Sequence, residues 1–245
     1  MRPSPGAITL HRPFHAGHSY QSWDGISDAV GFEIDAFALT PKVTRTVQMR
    51  SPVIFGTHVY RRLLVRRGAS DALDSLRASY AALPDLALWA LALLEPPFPE
   101  DYIDLLALGR NGVFCGTLAR QHPATRADVP YVTVHGKQID TDFAPAHRML
   151  LVVSTFMARR DMSADRRAAL DGLEAWFSAR RPEIDRHFQD LAVTPVLEPP
   201  EPLSELARGL AVEAVRLGIP DLFRSRTEQN NDLARGAGDA SRAAS

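Results

Sequence analysis

Alternating polarity predicts a hairpin near the start of the chain. Residues 30–39, VGFEIDAFAL, place apolar and acidic side chains on opposite sides of an extended backbone. Alternation with a period of two is typical of a half-buried strand. Residues 43–49 alternate again after the turn-forming Thr40-Pro41-Lys42, which favours an antiparallel hairpin. A helix that begins after Thr40 is the alternative.

Further along the chain, apolar positions recur close to the 3.6-residue period of an amphipathic helix. Gly and Pro residues divide this region, since they end helices. Residues 86–94 are apolar on every side, which predicts a helix buried all round. Helices are predicted over residues 53–64, 71–83, 163–178 and 86–94, and also over residues 100–108 and 204–217.

The middle of the chain combines a second hairpin with an apolar run. Residues 131–134 read as a strand, residues 135–137 as a turn and residues 138–142 as a weak return strand. Residues 145–157, PAHRMLLVVSTFM, follow and are predicted to cross the core as a helix.

These elements predict a mainly α fold with one or two small β-hairpins (α+β), formed as a single helical domain with a disordered C-terminal tail. The tail has almost no apolar residues, so it cannot bury enough surface to fold. The predicted organisation is an extended N-terminal arm (1–24), a mainly helical core (25–194), a Pro-rich connector with a C-terminal helix (195–223) and the tail (224–245).

Composition excludes several classes of protein. The net charge is -1, so the basic footprint of a general nucleic-acid-binding protein is absent and no nucleic-acid partner is expected. The longest apolar stretch is too short for a bilayer, and the N-terminal residues lack the apolar segment of a secretory signal. A cytoplasmic protein with no membrane partner is expected. The basic residues are nearly all Arg, a bacterial-like composition.

Chemically versatile side chains are concentrated around the second hairpin. His135, Asp140, Asp142 and His147 lie within thirteen positions of one another. Histidine and carboxylate side chains bind metals, and a His–Asp hydrogen bond orients an imidazole as a general base. His135, Asp140 and His147 are therefore the candidate metal ligands. The alternative is that the Asp residues near the turn bond only to the backbone.

A second group lies in the first predicted helix. His58 and Arg62 are four residues apart, so their side chains would share one helical face. The guanidinium offers paired donors to a carboxylate or phosphate. We predict His58, His135 and His147 as catalytic residues and Arg62 with Arg148 as substrate-binding residues. The alternative for His58 and Arg62 is an ordinary solvated surface.

The chain has no phosphate-binding Gly-rich loop, no Gly-x-Ser-x-Gly elbow and no His-Glu-x-x-His motif, which disfavours the common enzyme classes that use them. Its one cysteine, Cys115, rules out an intramolecular disulfide or a thiolate cluster, and a packing role is favoured over a nucleophilic one.

The leading hypothesis is a small helical enzyme of specialised metabolism that acts on a small acidic or aromatic substrate, with a His-ligated metal or haem as candidate cofactors. The alternative is a non-catalytic accessory subunit that presents a peptide or protein to a partner enzyme. In that case the strand over residues 30–39 would accept an added strand. A helical regulatory or nucleic-acid-binding protein is a third hypothesis. The sequence specifies neither the cofactor nor the oligomeric state.

Overall fold

Eight strands of the described residues form one mixed β-sheet in the computed structural model of the chain. The structure describes residues 7–15, 29–39, 44–67, 71–98, 102–122, 131–134, 137–139, 148–187 and 201–224. The strands are β1 (Ala7–His15), β2 (Ala29–Leu39), β3 (Thr44–Gly56), β4 (Asp104–Gly109), β5 (Gly112–His122), β6 (Tyr131–Val134), β7 (Lys137–Ile139) and β8 (Arg148–Ala158).

The main run of the sheet has the order β1-β2-β3-β8-β5-β4. The 13-residue strand β3 is the branch point. Its first half pairs antiparallel with β6, through Arg45–Val134 to Gln48–Tyr131. Its second half pairs in parallel with β8, through Val53–Leu151 to Phe55–Val153. The small β6–β7 hairpin therefore extends the sheet only beside the first half of β3.

The centre of the sheet is covered on both faces. In β8, Leu151, Val152 and Val153 are all buried, and alternation between buried and exposed positions begins only at Ser154. Strands with both faces buried are continuous apolar runs rather than alternating ones. This explains why β8 has the sequence of a buried strand but lacks the usual period of two along its first half.

Among the described residues, helices form two groups in the sequence, on either side of the β4–β8 region. The helices are α1 (Thr57–Arg62), α2 (Ala72–Ala81), α3 (Leu83–Ala92), α4 (Ala164–Arg186), α5 (Glu201–Arg216) and α6 (Ile219–Phe223). A π-helical turn, Leu63–Arg67, continues α1, and a 3₁₀ turn, Arg159–Asp161, follows β8. None of the described helices combines the length and apolar character needed to cross a membrane.

Helix α3 packs between the sheet and α5, and every one of its residues is buried. The indole N–H of Trp89 donates to the backbone carbonyl of Asp104 at 3.0 Å, which ties α3 to β4. The predicted burial of this apolar helix on all sides is confirmed. Its one charged side chain, Asp85, is buried as well.

Helix α4 starts where the sequence predicts it. The Ser163 hydroxyl accepts the backbone N–H of Arg166 at 3.4 Å and caps the helix. The helix continues beyond Ser178 and through Pro182, ending at Arg186. The apolar spacing within residues 163–178 predicts four inward-facing residues, and all four are buried: Leu170, Leu173, Trp176 and Phe177.

The prediction of a single helical domain with small hairpins is wrong, because a large mixed sheet organises an α+β fold. Three stretches predicted as helices are strands in whole or in part. Residues 53–56 belong to β3, residues 104–108 to β4 and residues 148–157 to β8. Short apolar runs suit a buried strand or a buried helix equally well, and here backbone pairing with neighbouring strands decides for strands.

The predicted hairpin of β2 with β3 is confirmed, but β2 has no free edge to which a partner could add a strand. It lies between β1 and β3, so both of its edges are paired. The predicted added strand therefore has no place beside β2. Residues 7–15 of the predicted N-terminal arm form β1, which supplies one of these two pairings.

The apolar spacing within residues 71–83 predicts an inward face formed by Leu73, Leu76, Tyr80 and Leu83, and for α2 this is wrong in part. Leu73 is exposed, whereas Ser75 and Ser79 face the core. The Ser79 hydroxyl donates to the Ser75 carbonyl at 3.1 Å, which satisfies it inside the helix.

Of the predicted C-terminal tail, residues 225–245 lie outside the described residues, as does most of the predicted connector.

Candidate functional site

A cleft of about 710 Å³ lies among the described residues. It is bounded by α2 with the start of α3, by the turn between β4 and β5, and by α4. The α4 residues that line it recur at helical spacing, so one face of this helix forms a wall: Glu174, Phe177, Ser178, Arg181 and Asp185. The volume lies within the range of small-molecule sites, about 300–1,000 Å³.

A buried ion pair joins α3 to α4 at this cleft. Arg181 Nη1 and Nη2 donate to Asp85 Oδ1 and Oδ2 at 2.9 and 3.1 Å. The Asp85 side chain is 3% exposed and that of Arg181 is 36% exposed. Burial raises the pKa of Asp85, and the hydrogen bonds and charge of Arg181 partly offset this effect. The pair fixes the position of the α4 wall relative to α3.

A second ion-pair group holds the opposite end of the α4 wall. Arg159, in the 3₁₀ turn after β8, donates from Nη2 to Glu174 Oε2 at 2.8 Å and from Nη1 to Asp171. Its backbone N–H donates to the Asn111 carbonyl at 2.9 Å. The β4–β5 turn is thereby attached to the element that carries Arg159.

The β4–β5 turn is held in a defined conformation. Asn111 has a φ of 65°, a left-handed value that Asn tolerates better than most residues. Gly112 follows it, and a Cβ there would collide with the Met157 carbonyl and the Phe156 ring. This turn presents Arg110 at the rim of the cleft on an ordered backbone.

Two charged side chains of the lining keep their capacity to bind a ligand. The side chain of Arg110 has no hydrogen-bond or ion-pair partner among the described residues. Asp185 Oδ1 lies 3.8 Å from Arg181 Nη1, too far for a hydrogen bond, and its side chain is 60% exposed. In the described part of the chain, Arg110 therefore lines the cleft without a partner, and Asp185 lines it with an ion pair to Arg181 but no hydrogen bond.

Aromatic rings lie beneath the cleft rather than on its accessible surface. Phe114 and Phe156 pack edge to face with their centroids 5.1 Å apart, and both are fully buried, as is Phe177. They support the lining, and the accessible apolar surface comes from smaller groups such as Ala78, Ala81 and Leu108. The exposed lining of the cleft is about equally polar and apolar.

The structure brings His58 and Arg62 together, but away from this cleft. Arg62 Nε donates to His58 Nε2 at 2.9 Å on α1. Both line a separate surface depression of about 330 Å³ with Arg61 and Val65. The predicted catalytic role of His58 and substrate-binding role of Arg62 stay predictions.

The remaining predicted site residues are not placed. His135, Asp140, Asp142 and His147 lie outside the described residues. Arg148 is the first residue of β8, but its side chain is not among those described. Among the described residues, no group of three or more His, Cys, Asp or Glu side chains is arranged to hold a metal ion.

Cys115 lies in β5 outside the cleft lining. Burial, reinforced by the charge of Asp104 and opposed by that of Arg166, raises the pKa of its thiol to about 12. The thiolate, which is the nucleophilic form, is therefore scarce at neutral pH. This agrees with a packing role.

Sequence reasoning missed the cleft residues Asp85, Arg110, Arg181 and Asp185. One signal was present: Asp85 is the only charge in a helix that is otherwise apolar all round, and a buried carboxylate requires a partner. The identity of that partner, 96 residues away, could not be read from local spacing.

Comparison with protein-family models, with curated proteins and with solved structures found no match to this chain.

Proposed function

We propose that the cleft between α3, α4 and the β4–β5 turn binds a small acidic molecule, with Arg110 as the ligand for its anionic group. The observation that carries this proposal is a guanidinium at the rim of the cleft with no partner among the described residues. Arginine forms charge-assisted, often bidentate bonds with carboxylates and phosphates. The other two cleft arginines already bind carboxylates of the protein.

An acidic ligand suits the cleft better than an aromatic one. The phenyl rings beneath it are buried and offer no face for stacking. The strip formed by Ala78, Ala81 and Leu108 can cover a short aliphatic chain. We therefore favour a small aliphatic acid over an aromatic ligand.

The described lining supports binding more strongly than catalysis. It contains carboxylates, guanidinium groups and the Ser178 hydroxyl, but no imidazole, thiol or amine, so the hydroxyl has no histidine or lysine base in the described lining. An enzyme of specialised metabolism would have to use a carboxylate here, or side chains outside the described residues.

We place the protein in the cytoplasm in this proposal, since its single cysteine forms no intramolecular disulfide.

A titration with hexanoate, followed by NMR chemical shifts, tests this function. Arg110→Gln should weaken binding about fivefold, the effect of losing one exposed charge-assisted contact. Arg160→Gln is the matched control, because Arg160 is an exposed arginine of the neighbouring 3₁₀ turn that does not line the cleft. Equal binding by the wild type and the Arg110 variant, or no binding at all, would contradict the proposal.

A partner-binding role is the second candidate, favoured by an exposed apolar pair on the π-helical turn. Leu64 and Val65 are 44% and 71% exposed, and Val65 lies beside His58 and the α1 arginines. Large apolar side chains with this exposure, next to basic groups, are typical of contact surfaces. Affinity purification should recover fewer partners with Val65→Asp than with Val212→Asp, a control at an exposed valine of α5. Identical partners in both would refute it.

A further inference from the structure

The charges of the cleft comprise hydrogen-bonded ion pairs and two groups without a side-chain hydrogen bond among the described residues. Both oxygens of Asp85 are bound by Arg181. Arg159 is bound by Glu174 and by Asp171. These pairs satisfy each other's hydrogen bonds, so neither guanidinium needs a ligand. Arg110 has no partner among the described residues, and Asp185 has only the 3.8 Å ion pair with Arg181 and no hydrogen bond, so these two groups can recognise a ligand.

We infer that the ligand of this cleft is a zwitterion, with a carboxylate for Arg110 and an ammonium group for Asp185. This inference rests on the proposed function, since it takes Arg110 as the site of the anion. Asp185 contributes a carboxylate that is 60% exposed and lies beyond hydrogen-bond distance of Arg181. An ammonium group supplies three donors, which suits an exposed carboxylate with free acceptor positions.

The two charges of the ligand lie at opposite ends of an aliphatic chain. Arg110 belongs to the β4–β5 turn, whereas Asp185 belongs to the last turn of α4. They line different walls of one cleft. An α-amino acid holds its two charges on neighbouring atoms, so an ω-amino acid with several methylene groups between them is the better match. Those methylene groups would cover Ala78, Ala81 and Leu108.

The same arrangement disfavours a carboxylic acid that has no amino group, relative to the zwitterion. Asp185 repels a second negative charge that enters the cleft, and this repulsion becomes attraction when the ligand carries an ammonium group. Because both rim groups are exposed, the gain is limited by solvent screening. We expect about a three- to fivefold tighter binding of the zwitterion than of the matched acid.

Three ligands of one chain length separate these contributions: hexanoate, 6-aminohexanoate and hexylamine. Each is titrated into the intact chain and into Arg110→Gln, Asp185→Asn and Glu183→Gln. Glu183 is the control for Asp185, because it is an exposed acid on the same turn of α4 that does not line the cleft. Urea unfolding of each variant verifies that it is folded.

The wild type should bind 6-aminohexanoate most tightly. Asp185→Asn should remove this preference, so that 6-aminohexanoate and hexanoate bind equally, whereas Glu183→Gln should retain it. Arg110→Gln should weaken both carboxylates and leave hexylamine unchanged.

If hexanoate binds through Arg110 but the amino group adds nothing, the inference fails and the proposed function stands. If neither carboxylate binds, both fail. A preference that survives in Asp185→Asn overturns the assignment of the ammonium site.

Discussion

Removing one partner of the Asp85–Arg181 pair should lower the free energy of unfolding. The loss should be larger when Arg181 is removed than when Asp85 is neutralised. Arg181→Met retains much of the arginine's length and apolar stem but leaves the Asp85 carboxylate without its two hydrogen bonds. That carboxylate is 3% exposed, so water cannot replace the lost donors. Breaking a buried pair in this way costs about 3–5 kcal/mol. We expect about 3 kcal/mol, since Arg181 is 36% exposed and water of the cleft enters part of its site.

The converse variant should be milder. In Asp85→Asn, the guanidinium keeps one amide acceptor and remains partly solvated, so the expected loss is about 1–2 kcal/mol. Urea unfolding at pH 7, analysed by linear extrapolation, measures both free energies. Equal losses, or a loss below about 1 kcal/mol for Arg181→Met, would refute the reasoning that a buried, unpaired carboxylate is the dominant cost.

The stability loss caused by Arg181→Met should depend on pH, in a direction set by the pKa of Asp85. Burial raises the pKa of Asp85 above its ordinary 3.8, and Arg181 lowers it. Without Arg181 that pKa rises further, so the folded variant binds a proton more readily than the unfolded chain does. The penalty is therefore present above the folded-state pKa and disappears as the pH falls towards 3.8. A difference between wild type and variant that is independent of pH from 7 to 4 would contradict this account.

Two glycines and the cysteine give further tests. Gly112→Ala should destabilise the chain by about 2 kcal/mol in urea unfolding, because its Cβ meets the Met157 carbonyl. Gly209→Ala, whose Cβ would lie 3.6 Å from Trp176, should instead stabilise α5 by about 0.5–1 kcal/mol, and a loss there would contradict the packing. Iodoacetamide at pH 7.5 should label Cys115 slowly in the folded chain and quickly in urea, since burial raises its pKa to about 12. Rapid labelling of the folded chain would refute this.

Elements with long or strongly periodic patterns could be predicted from the sequence. Helix α4 has a cap and a repeated apolar face, and the β2–β3 hairpin alternates over many residues. Strands β4 and β8 could not be distinguished from helices, because their apolar runs fit buried elements of either kind. Strand β8 pairs with β5 from a distant part of the chain, which no local pattern encodes, whereas β4 pairs with β5 across the two-residue turn Arg110-Asn111.

The candidate site was predictable only where its residues are close in sequence. His58 and Arg62 are one helical turn apart, and the structure brings them into hydrogen-bond contact. The cleft instead combines a turn, α3 and the end of α4, so Arg110 and Asp185 line the same cavity only because of the tertiary fold. An unpaired arginine on a turn has the sequence signature of any surface arginine.

The branch at β3 also sets the order in which the sheet can be completed during synthesis. The second half of β3 has β8 as its parallel neighbour, and β8 follows roughly a hundred residues later. At about 5–20 residues per second, a ribosome needs roughly 5–20 s to cover that interval. Until then β1–β3 and β4–β5 exist as two separate groups of strands, because β8 joins them in the described sheet. A nascent chain halted before residue 148 would therefore leave the backbone N–H and C=O groups of Val53–Phe55 without their β8 partners. Such an open strand edge is a state in which chaperone capture competes with aggregation.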